Sequence, residues 1–183
     1  MLSFLLSLCL QYPQWGCQVE AMKAEYMRRS FVEPVLEAMA DAHDIRMDSE
    51  ASVILILGTI AKESEFGLYT RQIKGPALGI CQTEPDTLAW LVDDILERPR
   101  YGSLRALWDV YRGSLSPELA VETSWQASIF MCRLRYWVVP APLPSKHDIE
   151  GLADYWNDFY NLNETVGFPH EWIEKYNKFV VGT

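Results

Sequence analysis

ASVILILGTIA, residues 51–61, is almost wholly apolar when it is drawn as an α-helix. Val53 to Leu57 leave no polar face, so the pattern predicts a helix that runs through the middle of a core and not along a surface. Asp48 or Ser49 can cap its first turn with a side-chain oxygen. The stretch therefore predicts a buried central helix that ends near Glu63.

Helical spacing of apolar residues continues along most of the chain. It predicts further helices at residues 31–40, 84–95, 103–111, 116–137, 148–160 and 169–179. The inner face of the long helix at 116–137 is expected to consist of Leu119, Ala120, Thr123, Ala127, Phe130, Met131 and Leu134. Prolines make residues 140–144 extended. The predicted fold class is all-α, with at most a minor β-hairpin between Phe66 and Gln82.

Length and composition restrict the class of protein. The chain has 183 residues, 49% of them hydrophobic and 13% aromatic, which suits one domain with a sizeable core and excludes a disordered protein. Its net charge of −9 argues against nucleic-acid binding, because that function needs a basic surface. Some of the seven Trp and nine Tyr can stack on sugar rings, although most are expected to fill the core.

Cysteines and histidines give no indication of a metal site. Cys9, Cys17, Cys81 and Cys132 lack metal-ligand spacing, and the three histidines are scattered. Cys81 and Cys132 are expected to behave as small buried groups. We therefore expect no metal ion and no cofactor.

Glu63 lies where a central helix would end. Ile60, Thr59 and Ile56 precede it by three, four and seven residues, so its side chain shares their buried stripe, whereas Glu65 points roughly 200° away. Burial against apolar neighbours raises the pKa of a carboxyl group, which then stays protonated near neutral pH and can act as a general acid. The opposite interpretation is a solvated glutamate at a helix end, as most carboxylates are surface groups.

An ordered set of motifs follows this carboxylate. Its members are Glu63-Ser64, GPALGICQ at residues 75–82, Glu84-Pro85 with Thr87, RLRY at 133–136, the proline run at 140–144, and YWN at 155–157 leading to Tyr160-Asn161. In order and spacing the set resembles the goose-type lysozyme and soluble lytic transglycosylase superfamily, and most closely its bacteriophage branch of virion proteins. The resemblance covers about residues 48 to 178.

This resemblance implies a lysozyme-like single domain that cleaves peptidoglycan. The glutamate of the Glu-Ser pair is the catalytic acid in that superfamily, so the role falls on Glu63. Tyr160 is implied to pack beside Glu63 and to hydrogen-bond it as a second catalytic residue. The positions implied to contact substrate are Ser64, Gly79, Gln82, Glu84 and Asn161.

Several activities are compatible with these residues. The one that we favour is a lytic transglycosylase that cleaves the MurNAc-GlcNAc β-1,4 bond with Glu63 as its single acid and base, because the product closes a 1,6-anhydro ring without water. A hydrolytic lysozyme needs a second carboxylate, for which Glu65 and Glu84 are the candidates. A structural virion protein with a weak or inactive domain, and a carbohydrate-binding module, are also compatible with the motifs.

The resemblance also implies a location and partners. We expect the protein in a phage virion, in the tail or the head interior, acting on the host cell wall or periplasm, with peptidoglycan strands and other virion proteins as partners. Its acidic charge would repel an anionic envelope, and anchoring to a particle removes the need for attraction. Residues 1–47 are expected to form a helical N-terminal segment that can dock, and residues 48–183 the catalytic domain.

The first ten residues, MLSFLLSLCL, resemble the apolar core of a signal peptide. They lack the leading positive charges of such a peptide and are too short to span a bilayer. A short apolar helix is therefore the preferred interpretation, with no stable membrane span.

Overall fold

The computed structural model describes residues 23–43, 46–162 and 168–182, and this part of the chain is all-α. Its α-helices are α1 (Glu33–His43), α2 (Glu50–Ser64), α3 (Pro85–Trp90), α4 (Gly102–Arg112), α5 (Pro117–Thr123), α6 (Trp125–Trp137), α7 (Ile149–Phe159) and α8 (Pro169–Tyr176). Turns of π-helix precede α1 (Arg28–Val32) and extend α3 (Leu91–Ile95) and α8 (Asn177–Val181), and a 3₁₀ turn (Pro99–Tyr101) leads into α4. The predicted fold class is confirmed.

Helix α2 is the central element. Ser49 caps it, with Oγ accepting a hydrogen bond from the backbone N–H of Ser52 at 3.2 Å, so the cap is Ser49 and not Asp48. The helix packs against α6, α7 and α8 and buries residues on all sides, as its apolar sequence predicts. At Gly58 the Trp172 ring of α8 comes so close that an added Cβ would lie 1.8 Å from a ring carbon. The missing side chain at Gly58 therefore sets the distance between α2 and α8.

The end of α2 is a sharp turn. Glu65 and Phe66 have φ values of 50° and 61°, in the left-handed region, and the Glu65 N–H bonds to the Ile60 carbonyl. The helix thus stops one residue after Glu63, at Ser64. In the segment that follows, the expected hairpin is reduced to two isolated antiparallel bridges, Arg71 with Leu78 and Leu78 with Thr83.

The single long helix predicted at residues 116–137 was wrong, because two helices occupy this range. Ser124 has extended backbone angles, and its Oγ accepts from the Ala127 N–H at 3.2 Å, which starts α6 immediately after α5. A serine oxygen that bonds to the backbone competes with helix continuation. The break rotates α5, so Leu119 and Thr123 are not in the core and Val121 is buried instead.

The other predicted helices agree with the structure to within a few residues. Asp148 and Ser116 cap α7 and α5 with their side chains. Residues 140–144 are not helical, as their prolines predict. The inner faces of α1, of α3 and of the π-helical turn after α3 are buried: Val35, Leu36, Met39, Leu88, Leu91, Val92 and Ile95.

The expectation for the N-terminal apolar segment falls on residues 1–10, which lie outside the described residues. Of the predicted segment 1–47, α1 packs against α4 and α6 and contributes to the same core as α2. Within residues 23–43, 46–162 and 168–182, no helix combines the length and the apolar character that crossing a membrane requires.

Candidate active site

Glu63 lies in the last turn of α2, and α7 holds its carboxyl group. The Oε1 atom accepts a hydrogen bond of 3.0 Å from the indole N–H of Trp156, a residue that is 1% exposed. Burial raises the pKa of Glu63 from an ordinary 4.5 to about 7, while the Trp156 hydrogen bond and the charges of Lys62 and Arg135 oppose this rise. The residue keeps some contact with solvent. Near neutral pH it is thus a reachable carboxyl group divided between its acid and base forms.

Removing the Trp156 N–H gives a test of this geometry. Trp156→Phe should raise the pKa of Glu63 above about 7, since the lost hydrogen bond favours the carboxylate. Carboxyl ¹³C NMR titration of Glu63 measures the shift directly.

A matched control is Trp172→Phe. Trp172 is equally buried, but its indole nitrogen has no hydrogen-bond partner among the described residues, so the pKa of Glu63 should stay unchanged. A titration curve that is the same in Trp156→Phe and wild type would contradict the assignment of this hydrogen bond.

Ser64 joins the end of α2 to the glycine-rich segment. Its Oγ donates to the Ile80 carbonyl at 2.6 Å and accepts from the Gly67 N–H at 3.0 Å. The side chain is fully buried. Ser64, which the resemblance placed among the substrate contacts, therefore supports the loop that borders Glu63 and has no exposed atom to offer a ligand.

Ser64→Ala should destabilise the protein by about 2 kcal/mol, because a buried carbonyl and a backbone N–H both lose their partner. Urea unfolding measures the change. Ser114→Ala is the control, since Ser114 is exposed and substitutions at such positions usually stay within about 0.5 kcal/mol. A loss as small as that of the control would show that Ser64 does not hold this loop.

Gly79 fits the glycine-rich segment against the helices behind it. Its φ is +74°, and an added Cβ would lie 2.5 Å from both Ser128 Oγ and the Val121 carbonyl oxygen. Gly79 is buried, so its contribution to the site is the path of the backbone.

Gln82 closes the segment with an unsatisfied oxygen. Its amide Nε2 donates to the Gly79 carbonyl at 2.7 Å, while Oε1 is buried and has no hydrogen-bond partner in the described part of the chain. A buried acceptor without a donor costs about 1–3 kcal/mol, and binding sites are where such a cost is offset by a ligand. The Oε1 atom of Gln82 is therefore an acceptor that still lacks a donor.

Tyr160 follows α7 and is half-buried beside the same segment. Its hydroxyl donates to the Cys81 carbonyl at 2.7 Å, so its proton does not go to Glu63 as the resemblance implied. Burial raises the pKa of Tyr160, and the charge of Glu63 adds to this rise. The tyrosine thus lies within electrostatic range of Glu63 and holds the backbone at Cys81.

Arg135 connects α6 to two neighbouring elements. Its guanidinium group donates to Thr87 Oγ1 and to the Tyr160 carbonyl, both at 2.8 Å, and lies 4.9 Å from the centre of the Tyr160 ring. Its charge lowers the pKa of Glu63. The motif residues Glu63, Thr87, Arg135 and Tyr160, separated in sequence, therefore meet in one place.

The rest of the RLRY motif is structural. Arg133 is 3% exposed, donates to the Met47 carbonyl at 2.8 Å, and burial lowers its pKa to about 10. The Tyr136 hydroxyl is 2.8 Å from Thr59 Oγ1 on α2. Both residues hold α6 in place behind the site.

Three further polar residues border Glu63 in sequence or space. Glu65 pairs with Lys175 of α8 at 2.5 Å, and this hydrogen bond lowers its pKa. Glu84 is the exposed N-cap position of α3, where its side chain makes no capping bond, and its charge raises the pKa of Glu63. The Asn161 amide donates to Asn157 Oδ1 at 3.3 Å. Glu84 is thus the second carboxylate that acts on Glu63.

A groove of about 510 Å³ opens beside Arg135 and Thr87. Its walls are α3, the end of α6 with the residues after it, and the end of α7. Its lining is mostly apolar: Asp86, Thr87, Trp90, Arg135, Val138, Val139, Pro140, Phe159 and Leu162.

Metal-binding side chains do not converge in the described ranges, where no three of His, Cys, Asp and Glu group together as a metal ion would require. Cys81 and Cys132 are free thiols and both are buried, as the sequence predicts.

The sequence predicts candidate site residues around Glu63, but it gives no role to Trp156. Trp156 belongs to the YWN motif four residues before Tyr160, and this helical spacing was the available signal that both face α2. No protein-family model, curated protein or solved structure matches this chain. The motifs and the geometry that they form are therefore the basis for a function.

Proposed function

We propose that this protein is a peptidoglycan lytic transglycosylase with a lysozyme-like domain, and that Glu63 is its acid and base. The observation that carries the proposal is the Glu63 carboxyl group, whose pKa is raised to about 7 by burial and whose Oε1 atom is fixed by Trp156. A single group that donates and then accepts a proton works best with a pKa close to the working pH. Gln82 supports the proposal with an acceptor suited to a sugar.

In the first step the protonated Glu63 donates its proton to the oxygen of the MurNAc-GlcNAc β-1,4 bond, and the C1–O bond breaks with the electron pair on the leaving sugar. In the second step the Glu63 carboxylate accepts the proton of the muramic acid 6-hydroxyl while that oxygen bonds to C1. The product is a 1,6-anhydro ring, and Glu63 is protonated again. Trp156 stabilises the intermediate carboxylate by donating to Oε1.

Hydrolysis is the second candidate activity, and Glu84 is the observation in its favour. Glu84 is exposed and close enough to raise the pKa of Glu63, so it can activate a water molecule. Glu65 is the weaker second carboxylate, since its charge is not among those that shift the pKa of Glu63. A structural role and a carbohydrate-binding role need no second carboxylate.

Mass spectrometry of muropeptides released from purified peptidoglycan separates these activities. Fragments one water lighter than hydrolytic products establish the transglycosylase. Fragments with ordinary reducing ends establish a lysozyme and direct attention to Glu84. No fragments, from a protein that is folded by circular dichroism, would leave the structural or carbohydrate-binding function.

The location is proposed from the motif resemblance and the charge. A protein with a net charge of −9 is repelled at long range by an anionic cell wall, and attachment to a phage particle delivers it without that attraction. Virion tail or head-interior proteins are then its partners. Its detection in purified particles, and not only in the lysate, tests this assignment.

A further inference from the structure

Three aromatic rings form a second pocket on the face where α5 ends and α6 begins. Phe31 packs edge-on against Trp125 with ring centres 4.8 Å apart, and Tyr26 packs edge-on against Phe31 at 5.7 Å. They line a hollow of about 460 Å³ together with Thr123, Ser124 and Gln126. The Tyr26 side chain is 61% exposed, so a large aromatic surface lies open.

Hydrogen-bonding groups without charge make up the rest of the pocket lining. Thr123 and Ser124 contribute two hydroxyls, which already donate to the Leu119 carbonyl and to Gln126 Oε1 and so face a ligand as acceptors, and Gln126 contributes an amide. Within the described ranges no Asp, Glu, Lys or Arg lines the hollow. The acidic neighbours in sequence are already paired, Glu122 with Arg71 at 2.6 Å and Glu25 with Arg29. A charged ligand would find no counter-charge in this lining, and a wholly apolar ligand would leave the polar rim without partners.

A neutral sugar matches both halves of this lining. The C–H face of a sugar ring can lie on an aromatic face, while its hydroxyls and N-acetyl group bond to the rim. Ser124 Oγ donates to Gln126 Oε1 at 3.4 Å, and because the amide oxygen is engaged, the amide nitrogen is the part that can donate to a ligand. The N-acetyl carbonyl is an acceptor of the required kind.

The pocket lies where α6 begins. Trp125 packs over the turn after α2, since its ring lies 3.5 Å from where a Cβ on Gly67 would be. Arg135, whose charge lowers the pKa of Glu63, is ten residues further along α6, or about 15 Å from Trp125 at 1.5 Å per residue. The pocket and the Glu63 site can be occupied by one glycan strand that reaches both or by two separate strands.

We infer that the pocket of Tyr26, Phe31 and Trp125 is an accessory binding site for the neutral N-acetylhexosamine units of a glycan chain. The inference goes beyond cleavage, because binding here needs neither Glu63 nor turnover. Such a site would hold an uncharged part of the wall against a protein that the anionic parts repel. It supplies the attraction that the acidic composition lacks.

The test uses the full chain carrying Glu63→Gln, so that no cleavage occurs, and chitotetraose, the neutral tetramer of N-acetylglucosamine. Indole N–H signals of Trp125 and Trp156 report the two places separately by NMR. Chitotetraose should shift the Trp125 signal, and adding Tyr26→Ala should weaken that binding about tenfold without changing the titration of Trp156. Tyr26 is exposed, so its loss should leave thermal unfolding unchanged.

Phe168→Ala is the matched control, since Phe168 is a similarly exposed ring, 51% accessible, at the start of α8. It should leave the Trp125 titration unchanged. A Trp125 signal that does not move with chitotetraose, that moves equally in Tyr26→Ala, or that moves only with a protein partner would overturn the inference. If Trp125 shifts and Trp156 does not, the accessory site stands and the proposed cleavage site loses support.

Discussion

Glu63→Gln is expected to lower the rate of peptidoglycan cleavage by about 10³-fold, which lies within the usual range for loss of a general acid. Glutamine keeps the size of the side chain and an oxygen that can accept the Trp156 hydrogen bond, but it has no proton of suitable acidity to donate. The release of soluble muropeptides, followed by mass spectrometry, measures the rate.

The same substitution should stabilise the protein above neutral pH. The folded-state pKa of Glu63 is raised to about 7, so between pH 4.5 and 7 the carboxyl ionises in the unfolded chain while it stays protonated in the folded one. This difference disfavours folding, and its cost is complete above pH 7 and absent below about pH 4. At 1.36 kcal/mol per pKa unit, the raised pKa of Glu63 lowers the free energy of unfolding at high pH by about 3 kcal/mol. Glutamine carries no such cost, so the variant should gain stability at pH 8 and none at pH 4.

Glu65→Gln is the matched control for both measurements. It changes a carboxylate two residues away that is paired with Lys175, and that pairing lowers the pKa of Glu65. Cleavage should persist in this variant, and stability should fall slightly where Glu63→Gln gains. Cleavage that survives Glu63→Gln, or a loss of stability at pH 8, would contradict the role given to Glu63.

Local sequence determines the parts of this fold that were predicted well. Residues 51–61 are apolar all round, which permits only a buried helix, and Ser49 and Asp148 have side chains that cap helices. Glu63 was placed at the helix end by the same periodicity. Glu63 is partly buried because it lies on the same side of the helix as Ile60 and Thr59, which are buried.

Contacts between distant segments determine what the sequence did not show. A serine inside a helical pattern is compatible with helix or break, and Ser124 breaks the helix because its Oγ bonds to the Ala127 N–H and starts α6. Trp156 could have filled the core like most indoles, and only the approach of α7 to α2 brings its N–H to Glu63. Ser64 and Gly79 lie in the expected segment but are buried, because the loop they shape folds back on α2 and α6.

Gly58 is the position where the largest loss of stability is expected. Gly58→Ala places a methyl group 1.8 Å from a ring carbon of Trp172, and that ring is fully buried and stacks on Tyr176 with centres 5.3 Å apart. Alanine is the better helix former by about 1 kcal/mol, yet the steric conflict should exceed this and give a net loss of about 3 kcal/mol. Thermal unfolding should shift downward by about 10 °C.

Gly102→Ala is the control, because a Cβ at that helical position meets nothing within 4 Å and the melting temperature should stay the same or rise. Replacing Trp172, the ring opposite Gly58, with a smaller ring tests the cause of the loss directly. If the clash with Trp172 is the cause, the double variant Gly58→Ala/Trp172→Phe should lose less stability than the sum of the two single changes, since phenylalanine leaves room for the methyl group. Strict additivity would instead mean that the whole of α8 moves away from α2. Two ion pairs, Lys62 with Glu171 and Lys175 with Glu65, cross this contact. Such a movement would therefore also shift the pKa of Glu63.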